Sequence, residues 1–203
     1  MRAAIRSLAF VAAVVGLSAC NASKGGSNFD QDMSLGAANA PVTVIEYASV
    51  TCPHCARWNA EVFPLLKSRY IDTGKVHYVF RETLIHPEYD VIGYRVARCA
   101  GPANYFHVVD AIMRSQEQVF ADPKTAYLNI AKTAGMNEDQ FNKCVNDEDA
   151  TKKLYDRLQK EAAEFNVSST PTFIVNGKKT VEGETTIESL SAQIDPLLAK
   201  KSS

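Results

Sequence analysis

The feature that most constrains the fold of this chain is a pair of cysteines two residues apart, in the segment Cys52-Pro53-His54-Cys55. Two cysteines this close can form a disulfide only if the backbone between them is held in place, and the start of a helix does this. Pro53 fixes φ for a first helical position and lacks an N–H that would have no partner there. Cys52 would then be the N-cap residue, with its sulfur facing the free N–H groups of the first turn. These donors and the positive end of the helix dipole favour a thiolate, so the sequence predicts a reactive Cys52.

The segments on either side of this motif predict a strand–helix–strand unit. Residues 42–47 are β-branched and mostly apolar, which is typical of a buried strand. A helical pattern runs from Pro53 to about Leu66, with Pro64 expected to kink it, and residues 75–81 predict a second strand. A unit of this length implies a parallel strand pair with a right-handed crossover.

The rest of the chain changes from helical to hairpin character. Residues from about 89 to 166 repeat Ala, Lys, Glu and Leu at helical spacing with Gly and Pro breaks, which predicts a block of short helices. Asn176-Gly177 lies between two short β-branched runs and is a strong hairpin signal. A closing amphipathic helix is expected from about Thr186. We therefore predict an α/β fold in the order βαβ, helical block, ββα.

The N-terminal residues predict export from the cytoplasm. Two arginines precede an apolar run, residues 8–17, that is too short to span a bilayer, so we interpret residues 1–19 as a signal peptide. Small residues lead up to Cys20 as they do at the lipidation site of bacterial lipoproteins, and we predict that Cys20 carries lipid. The alternative is ordinary secretory cleavage close to this cysteine. Both routes lead to an oxidising compartment, and we expect the periplasm.

A flexible tether is expected between the signal peptide and the folded domain. Residues 20–35 are rich in Ser, Gly, Asn and Asp and lack hydrophobic periodicity. The domain itself is predicted at residues 36–203, about the size of a single domain. A lipid on Cys20 would keep this domain close to one membrane face.

The chain has five cysteines, and the assignments above leave two of them. With Cys20 given to lipid and Cys52 and Cys55 to the reactive pair, Cys99 and Cys144 remain. In an oxidising compartment two such cysteines most simply pair with each other, and two buried free thiols are the alternative. Closing so long a loop would contribute about 4 kcal/mol to stability in the chain-entropy account.

Composition argues against several other classes of protein. The net charge is −1 and there is no basic run, so no nucleic-acid partner is expected. A zinc site is disfavoured because no second pair of ligands follows at metal-ligand spacing. A carrier that binds Cu(I) through the two thiolates and His54 is a further alternative. We expect no metal and no cofactor.

The chain resembles the thioredoxin superfamily, and within it the disulfide-bond protein A (DsbA) family with its helical insertion. The Pro-His pair between the reactive cysteines carries this resemblance, together with residues 167–177, which include Thr170-Pro171. Cys99 with Cys144 resembles a second cysteine pair seen in some bacterial members. The resemblance covers essentially the whole mature domain, and it implies that Pro171 is cis and lies against the reactive cysteines.

The resemblance implies a thiol–disulfide oxidoreductase with four catalytic side chains. Cys52 is expected to attack and to form the mixed disulfide with the substrate, and Cys55 to resolve it. His54, as a partly charged imidazole, is expected to favour the Cys52 thiolate. Glu46, inside the first strand, is expected to transfer protons to and from Cys55, and a surface-facing glutamate is the alternative.

Thr170 and Pro171 are expected to hold an extended client segment beside the reactive pair. A stabilised thiolate makes the disulfide a strong oxidant, so we expect oxidation of exported client proteins with free cysteines. Threonine before the proline is shared with relatives that act as isomerases, so an isomerase or reductase on the same scaffold is the alternative. We also expect a membrane-bound reoxidising partner and a monomeric protein.

Overall fold

A mixed five-stranded sheet forms the centre of the computed structural model, which describes residues 31–201. Its strands are β1 (Met33–Leu35), β2 (Val42–Ala48), β3 (Val76–Glu82), β4 (Thr172–Val175) and β5 (Lys178–Glu182). They lie in the order β1-β3-β2-β4-β5. The helices are α1 (Pro53–Glu61), α2 (Phe63–Leu66), α3 (Pro87–Cys99), α4 (Tyr105–Arg114), α5 (Gln116–Ala121), α6 (Pro123–Thr133), α7 (Glu138–Val145), α8 (Glu148–Glu164) and α9 (Ile187–Lys201).

The strand–helix–strand unit is confirmed. β2 pairs with β3 in parallel, and α1 and α2 lie between them along the chain. β4 joins the other side of β2 in antiparallel orientation, and β5 pairs with β4. Six helices, α3 to α8, separate β3 from β4, so the predicted α/β fold with an inserted helical block is also confirmed.

The prediction of a tether through residue 35 is wrong at its C-terminal end. Met33–Leu35 form β1, which pairs with β3 in antiparallel orientation, and Met33 is buried. Three residues are too few to show a strand periodicity, and this strand exists because the edge of β3 supplies its partner. Just before it, Asp32 lies 3.5 Å from Arg81. The predicted signal peptide, residues 1–19, and the predicted lipid site at Cys20 lie outside the described residues.

The helix that follows the cysteine motif is interrupted where proline predicts it. α1 ends at Glu61, and the short α2 begins at Phe63 and is followed by a π-helical turn, Lys67–Ile71. Pro64 cannot donate a backbone hydrogen bond to the preceding turn, which accounts for the break.

The β4–β5 hairpin turns at Asn176-Gly177, as predicted. Both residues have positive φ, 46° and 77°, which favours Asn and Gly at the two central positions of a tight hairpin turn. The side-chain oxygen of Asn176 accepts a hydrogen bond of 2.8 Å from the N–H of Thr43 in β2. This contact ties the hairpin turn to the start of β2.

The inserted helices are tied together by a disulfide. Cys99 at the end of α3 and Cys144 in α7 are bonded, with sulfurs 2.10 Å apart. A buried polar cluster lies between the insertion and the sheet, where the Glu82 carboxylate is bound by Arg98 at 2.8 Å and also by Arg157. Tyr105 donates to the same carboxylate at 2.7 Å. Within residues 31–201, no helix has the length and apolar character needed to cross a bilayer.

Candidate active site

Cys52 is the N-cap residue of α1, as predicted. Its backbone is extended, with φ −79° and ψ 121°, and Pro53 occupies the first helical position. The N–H of Cys55 donates to the sulfur of Cys52 at 3.4 Å. Both cysteines are free thiols in this structure and both are buried, with Cys55 fully inaccessible. The helix start therefore places the Cys52 sulfur at the end of the helix and the Cys55 sulfur inside its first turn.

The two sulfurs have opposite electrostatic surroundings. The pKa of Cys52 is lowered to about 5, chiefly by a hydrogen bond from the Cys55 side chain and against the opposing effect of burial. Hydrogen bonds from the Thr170 side chain and from the backbone N–H groups of Cys55 and His54 contribute to the same shift. Burial raises the pKa of Cys55 well above its ordinary range, and the hydrogen bond to Cys52 and the charges of Cys52 and Glu46 add to this. At neutral pH the reduced pair therefore holds one thiolate, on Cys52, and one thiol, on Cys55.

The Thr170-Pro171 segment lies directly against the reactive pair. The peptide bond between these residues is cis, as the resemblance implies. The carbonyl oxygen of Thr170 is 3.6 Å from the sulfur of Cys52, close enough to accept from the thiol form. The Thr170 hydroxyl is buried, and hydrogen bonding from this side chain lowers the pKa of Cys52. Behind the segment, the rings of Trp58 and Phe173 pack 4.7 Å apart and fix α1 on β4.

Glu46 is buried in the centre of the sheet, so the surface-facing alternative is wrong. The residue is 1% exposed, and the hydroxyl of Tyr78 donates to one of its carboxylate oxygens. The other oxygen, Oε1, is buried without a partner. Burial raises the pKa of Glu46 to about 8, the Tyr78 hydrogen bond lowers it, and the negative charge of Cys52 adds to the rise. A carboxyl group with this pKa can take up or release a proton near neutral pH.

The His54 side chain points towards Glu184 in the connection between β5 and α9. Its imidazole is 63% exposed, and Nδ1 bonds to the carboxylate of Glu184. Arg57 donates to the same carboxylate at 2.6 Å, and hydrogen bonding from His54 lowers the pKa of Glu184. The ring of His54 bonds to Glu184, whereas its backbone N–H bonds to Cys52 and lowers the pKa of that thiol. Stabilisation of the thiolate by the imidazole itself stays a prediction.

A buried aspartate that sequence reasoning missed holds the turn before Cys52. One oxygen of Asp90 accepts from the hydroxyl of Ser49 at 2.8 Å, from the hydroxyl of Thr51 at 2.9 Å and from the N–H of Thr51 at 3.2 Å. The other oxygen accepts from the N–H groups of Ile85 at 2.7 Å and His86 at 2.9 Å. An acid in the first turn of α3 was visible in the sequence, but Ser49 and Thr51 lie about 40 residues earlier, and no local pattern points to their contact with it.

Gln116 in α5 is a second residue that the sequence did not reveal. Its side-chain amide donates to the carbonyl oxygens of Val50 at 2.9 Å and Cys52 at 3.1 Å. The inserted helices thus hold the reactive turn from two sides, through Asp90 and through Gln116.

The predicted site residues divide into two groups. The first group lies where α1, β2 and the start of β4 come together, and it consists of Glu46, Cys52, Cys55, Thr170 and Pro171. The disulfide between α3 and α7 belongs to the helical insertion. Across residues 31–201, no group of three or more His, Cys, Asp or Glu side chains is arranged to hold a metal ion.

Comparison with known proteins identifies the family. Residues 28–196 match the family model described as Thioredoxin, and this chain belongs to the thioredoxin superfamily as a DsbA-like member. It is similar to a Rickettsia bellii protein named "Putative protein-disulfide oxidoreductase", with 36% identity over 169 residues, 82% of this chain and 64% of that protein. The chain therefore spans less than two thirds of the length of this curated relative.

Two solved structures share the fold and part of the sequence. A cysteine-to-alanine double variant of Wolbachia pipientis α-DsbA1 matches with a TM-score of 0.76 and 26% identity, over 86% of this chain and 96% of that one. A structure titled as protein-disulfide isomerase from Novosphingobium aromaticivorans matches with a TM-score of 0.69 and 26% identity, over 83% and 96% of the two chains.

Proposed function

We propose that this protein is a thiol–disulfide oxidoreductase that donates a Cys52–Cys55 disulfide to exported proteins with free cysteines. The observation that carries the proposal is the position of the Cys52 sulfur, at the N-cap of α1 and 3.6 Å from the carbonyl oxygen of Thr170. This position gives the sulfur the hydrogen bonds that favour a thiolate. It also places the sulfur beside the backbone of a segment that a client chain can pair with.

The reaction transfers two electrons from the client to the protein. A client thiolate attacks the Cys52 sulfur of the disulfide, and Cys55 leaves as a thiolate. A second client thiolate then attacks the client sulfur of the mixed disulfide and expels Cys52 as a thiolate. The client gains a disulfide, and Cys52 and Cys55 are left reduced.

The two pKa shifts favour this direction. The low pKa of Cys52 makes it a good leaving group in the second step and stabilises the reduced protein. Cys55, whose pKa is high, must regain a proton after it leaves, and Glu46 is the buried acid electrostatically coupled to it. With one oxygen held by Tyr78 and the other without a partner, Glu46 can serve as that proton donor.

Export and anchoring belong to the same proposal. The apolar run at residues 8–17 and the small residues before Cys20 support secretion to the periplasm and lipidation of that cysteine. A disulfide between Cys99 and Cys144 suits an oxidising compartment. Anchored in this way, the domain could be reoxidised by a membrane-bound partner, and we expect it to act as a monomer.

An isomerase or reductase on this scaffold is the second candidate function. Threonine, at position 170, precedes the cis proline, and one of the similar structures is titled as a protein-disulfide isomerase. Both candidates use the same cysteines, and they differ in the reduction potential of the pair.

The test is a redox equilibrium combined with a titration. The purified protein is equilibrated with glutathione buffers, and the thiolate of the reduced form is titrated by its ultraviolet absorbance, with Cys52→Ser as the control. We expect a potential well above that of thioredoxin, about −270 mV, and a thiolate that disappears near pH 5. A potential close to thioredoxin's would favour the reductase, and an ordinary thiol at Cys52 would contradict the proposal as a whole.

A further inference from the structure

Glu184, in the loop between β5 and α9, binds two side chains of the helix that begins at the reactive cysteines. One of its carboxylate oxygens bonds to Nδ1 of His54 and accepts a hydrogen bond of 2.6 Å from Arg57. His54 lies between the two cysteines, and Glu184 is 130 residues further along the chain. The fold therefore places an acid that the motif itself does not contain next to the imidazole of the motif.

The loop that carries Glu184 is fastened to the segment beside the reactive pair. The N–H of Gly183 donates to the carbonyl oxygen of Pro171 at 2.7 Å. Gly183 has a φ of 90°, a left-handed conformation that residues with a side chain rarely adopt. The position of Glu184 is thus defined by the backbone on one side and by two basic side chains on the other.

Glu184 is ionised at neutral pH, and its charge is paired. Hydrogen bonding from His54 lowers the pKa of Glu184 against the opposing effect of desolvation, and the hydrogen bond and charge of Arg57 lower it further. Arg57 keeps its own charge at every pH at which the protein is folded. Because the carboxylate is neutralised by Arg57, we expect Glu184 to affect the sulfur of Cys52 chiefly through the imidazole that it holds.

The ring of His54 is engaged by the loop, whereas its backbone serves the sulfur. The hydrogen bonds that lower the pKa of Cys52 come chiefly from the side chains of Cys55 and Thr170 and from backbone N–H groups, that of His54 among them. The imidazole is 63% exposed, and its Nδ1 bonds to Glu184. A nitrogen held in this way is not available to the sulfur, whereas an imidazole released from Glu184 can turn and donate to the thiolate.

We propose that Glu184 is a positioning residue that holds the His54 imidazole away from the Cys52 sulfur and so limits the oxidising power of the Cys52–Cys55 pair. The inference rests on the proposed function and adds to it a residue that tunes the reduction potential. When the disulfide accepts two electrons from a client, the ring stays with Glu184 and does not stabilise the Cys52 thiolate. The protein is therefore a weaker oxidant than the same motif without the carboxylate.

The test measures the equilibrium constant for reduction of the oxidised protein by glutathione. The buffer contains about 0.5 M salt, which screens exposed charges that are more than a few Å apart. In Glu184→Gln, which removes the charge, and in Glu184→Ala, which also removes the contact, the constant should rise about fivefold, equivalent to about 20 mV. The ultraviolet absorbance of the thiolate should then disappear at a pH lower by about 0.7 than in the wild type.

Two controls show whether Glu184 acts through the imidazole. Glu188→Gln removes the same charge from another exposed glutamate, in the first turn of α9, and should leave the constant within twofold of the wild type. In a His54→Ser background, Glu184→Gln should also change the constant less than twofold, because no imidazole remains to be released. A fivefold effect that persists in this background would mean that the charge of Glu184 acts directly on the sulfur, and it would overturn the inference.

Two further results would reject the role of Glu184 and leave the proposed function intact. If Glu184→Gln and Glu184→Ala keep the constant of the wild type, the carboxylate does not tune the pair. If the constant falls in these variants, Glu184 supports the thiolate through the imidazole, which is the opposite of the proposed effect. In both cases a wild-type protein with a high potential and a thiolate at Cys52 is still an oxidant, whereas a wild-type potential close to thioredoxin's contradicts the direction of the proposed function whatever the variants show.

Discussion

Cys52 and Cys55 are chemically identical, and their roles follow from position. Cys52 lies at the end of α1 with the amide of Cys55 directed at its sulfur, whereas Cys55 is enclosed in the first turn with its pKa raised by burial. Cys52 is 4% exposed and Cys55 is not exposed at all, so we expect a substrate to approach the Cys52 sulfur and not the Cys55 sulfur. The asymmetry is a property of the N-cap position, and the sequence shows it because Pro53 marks the first residue of the helix.

This asymmetry predicts which variant traps a client. In Cys55→Ser, a mixed disulfide that forms when the Cys52 thiolate attacks a client disulfide cannot be reversed by Cys55, so we expect it to accumulate at least tenfold above the wild type. Cys52→Ser should trap nothing, because the remaining thiol is buried and protonated. Non-reducing electrophoresis of thiol-blocked cell extracts measures both. Equal trapping by the two variants would contradict the order of attack.

Glu46 predicts a pH dependence of stability. Its pKa is about 8 in the folded protein and 4.5 when unfolded, so between these pH values the folded state keeps a proton that the unfolded state releases. The Glu46 contribution therefore makes stability fall as pH rises from 4.5 to 8. Glu46→Gln removes this slope and should be more stable than wild type at pH 7, by up to about 3 kcal/mol. Urea unfolding is the measurement. In the oxidised protein Cys52 carries no charge to raise the pKa of Glu46, so there the sloping region should end at a lower pH.

Tyr78→Phe is the matched control for this effect. The Tyr78 hydrogen bond lowers the pKa of Glu46, so its loss should move the end of the sloping region to a higher pH while the slope itself remains. Glu46→Gln should thus remove the Glu46 contribution to the slope of stability with pH, whereas Tyr78→Phe should extend that slope to a higher pH. A wild-type protein with no slope between pH 4.5 and pH 8 would show that Glu46 titrates normally or has a compensating neighbour.

At the scale of elements, the reactive turn is held by the insertion as well as by the sheet. Asp90 connects the turn between β2 and α1 to the start of α3, and Gln116 reaches the same turn from α5. The helical block therefore has a part in the geometry of the site. Its helices fix where the N-cap sulfur points.

Asp90→Asn tests this positioning. Asparagine keeps one accepting oxygen and replaces the other by an NH2 group that only donates. Either the N–H groups of Ile85 and His86 or the N–H of Thr51 therefore lose their acceptor. We expect a loss of about 2–4 kcal/mol in stability and a rise in the pKa of the Cys52 thiolate as the turn loosens. Asp110→Asn, in the half-exposed part of α4, is the control and should cost less than about 1 kcal/mol. Lower stability with an unaltered thiolate pKa would mean that Asp90 stabilises the fold without positioning Cys52.

How far the sequence predicts each part depends on whether the determining contacts are local. The N-cap at Cys52 and the hairpin at Asn176 follow from residues next to each other, and both were predicted. β1 was missed because three residues form a strand there only by pairing with β3. Gln116 was missed because it is 66 residues from the carbonyl oxygen it binds at Val50, and no periodicity encodes such a contact.

For the whole molecule, the disulfide between Cys99 and Cys144 is predicted to serve stability and not catalysis. It joins α3 to α7 within the insertion, whereas the reactive sulfur lies at the N-cap of α1. Replacing both cysteines by alanine should remove about 4 kcal/mol in the chain-entropy account of a loop of this length. For a domain of this size such a loss corresponds to a Tm lower by about 10 °C.

The activity of this double variant decides between the two roles. We expect the rate of client oxidation to stay within about twofold of the wild type at a temperature well below both Tm values, since the reactive turn keeps its contacts with Asp90 and Gln116. The control is the wild type after mild reduction and blocking of Cys52 and Cys55 alone, which should keep the high Tm and lose all turnover. If the double variant also loses turnover while it remains folded, Cys99 and Cys144 take part in electron transfer, and the division of the cysteines into a reactive and a structural pair is wrong.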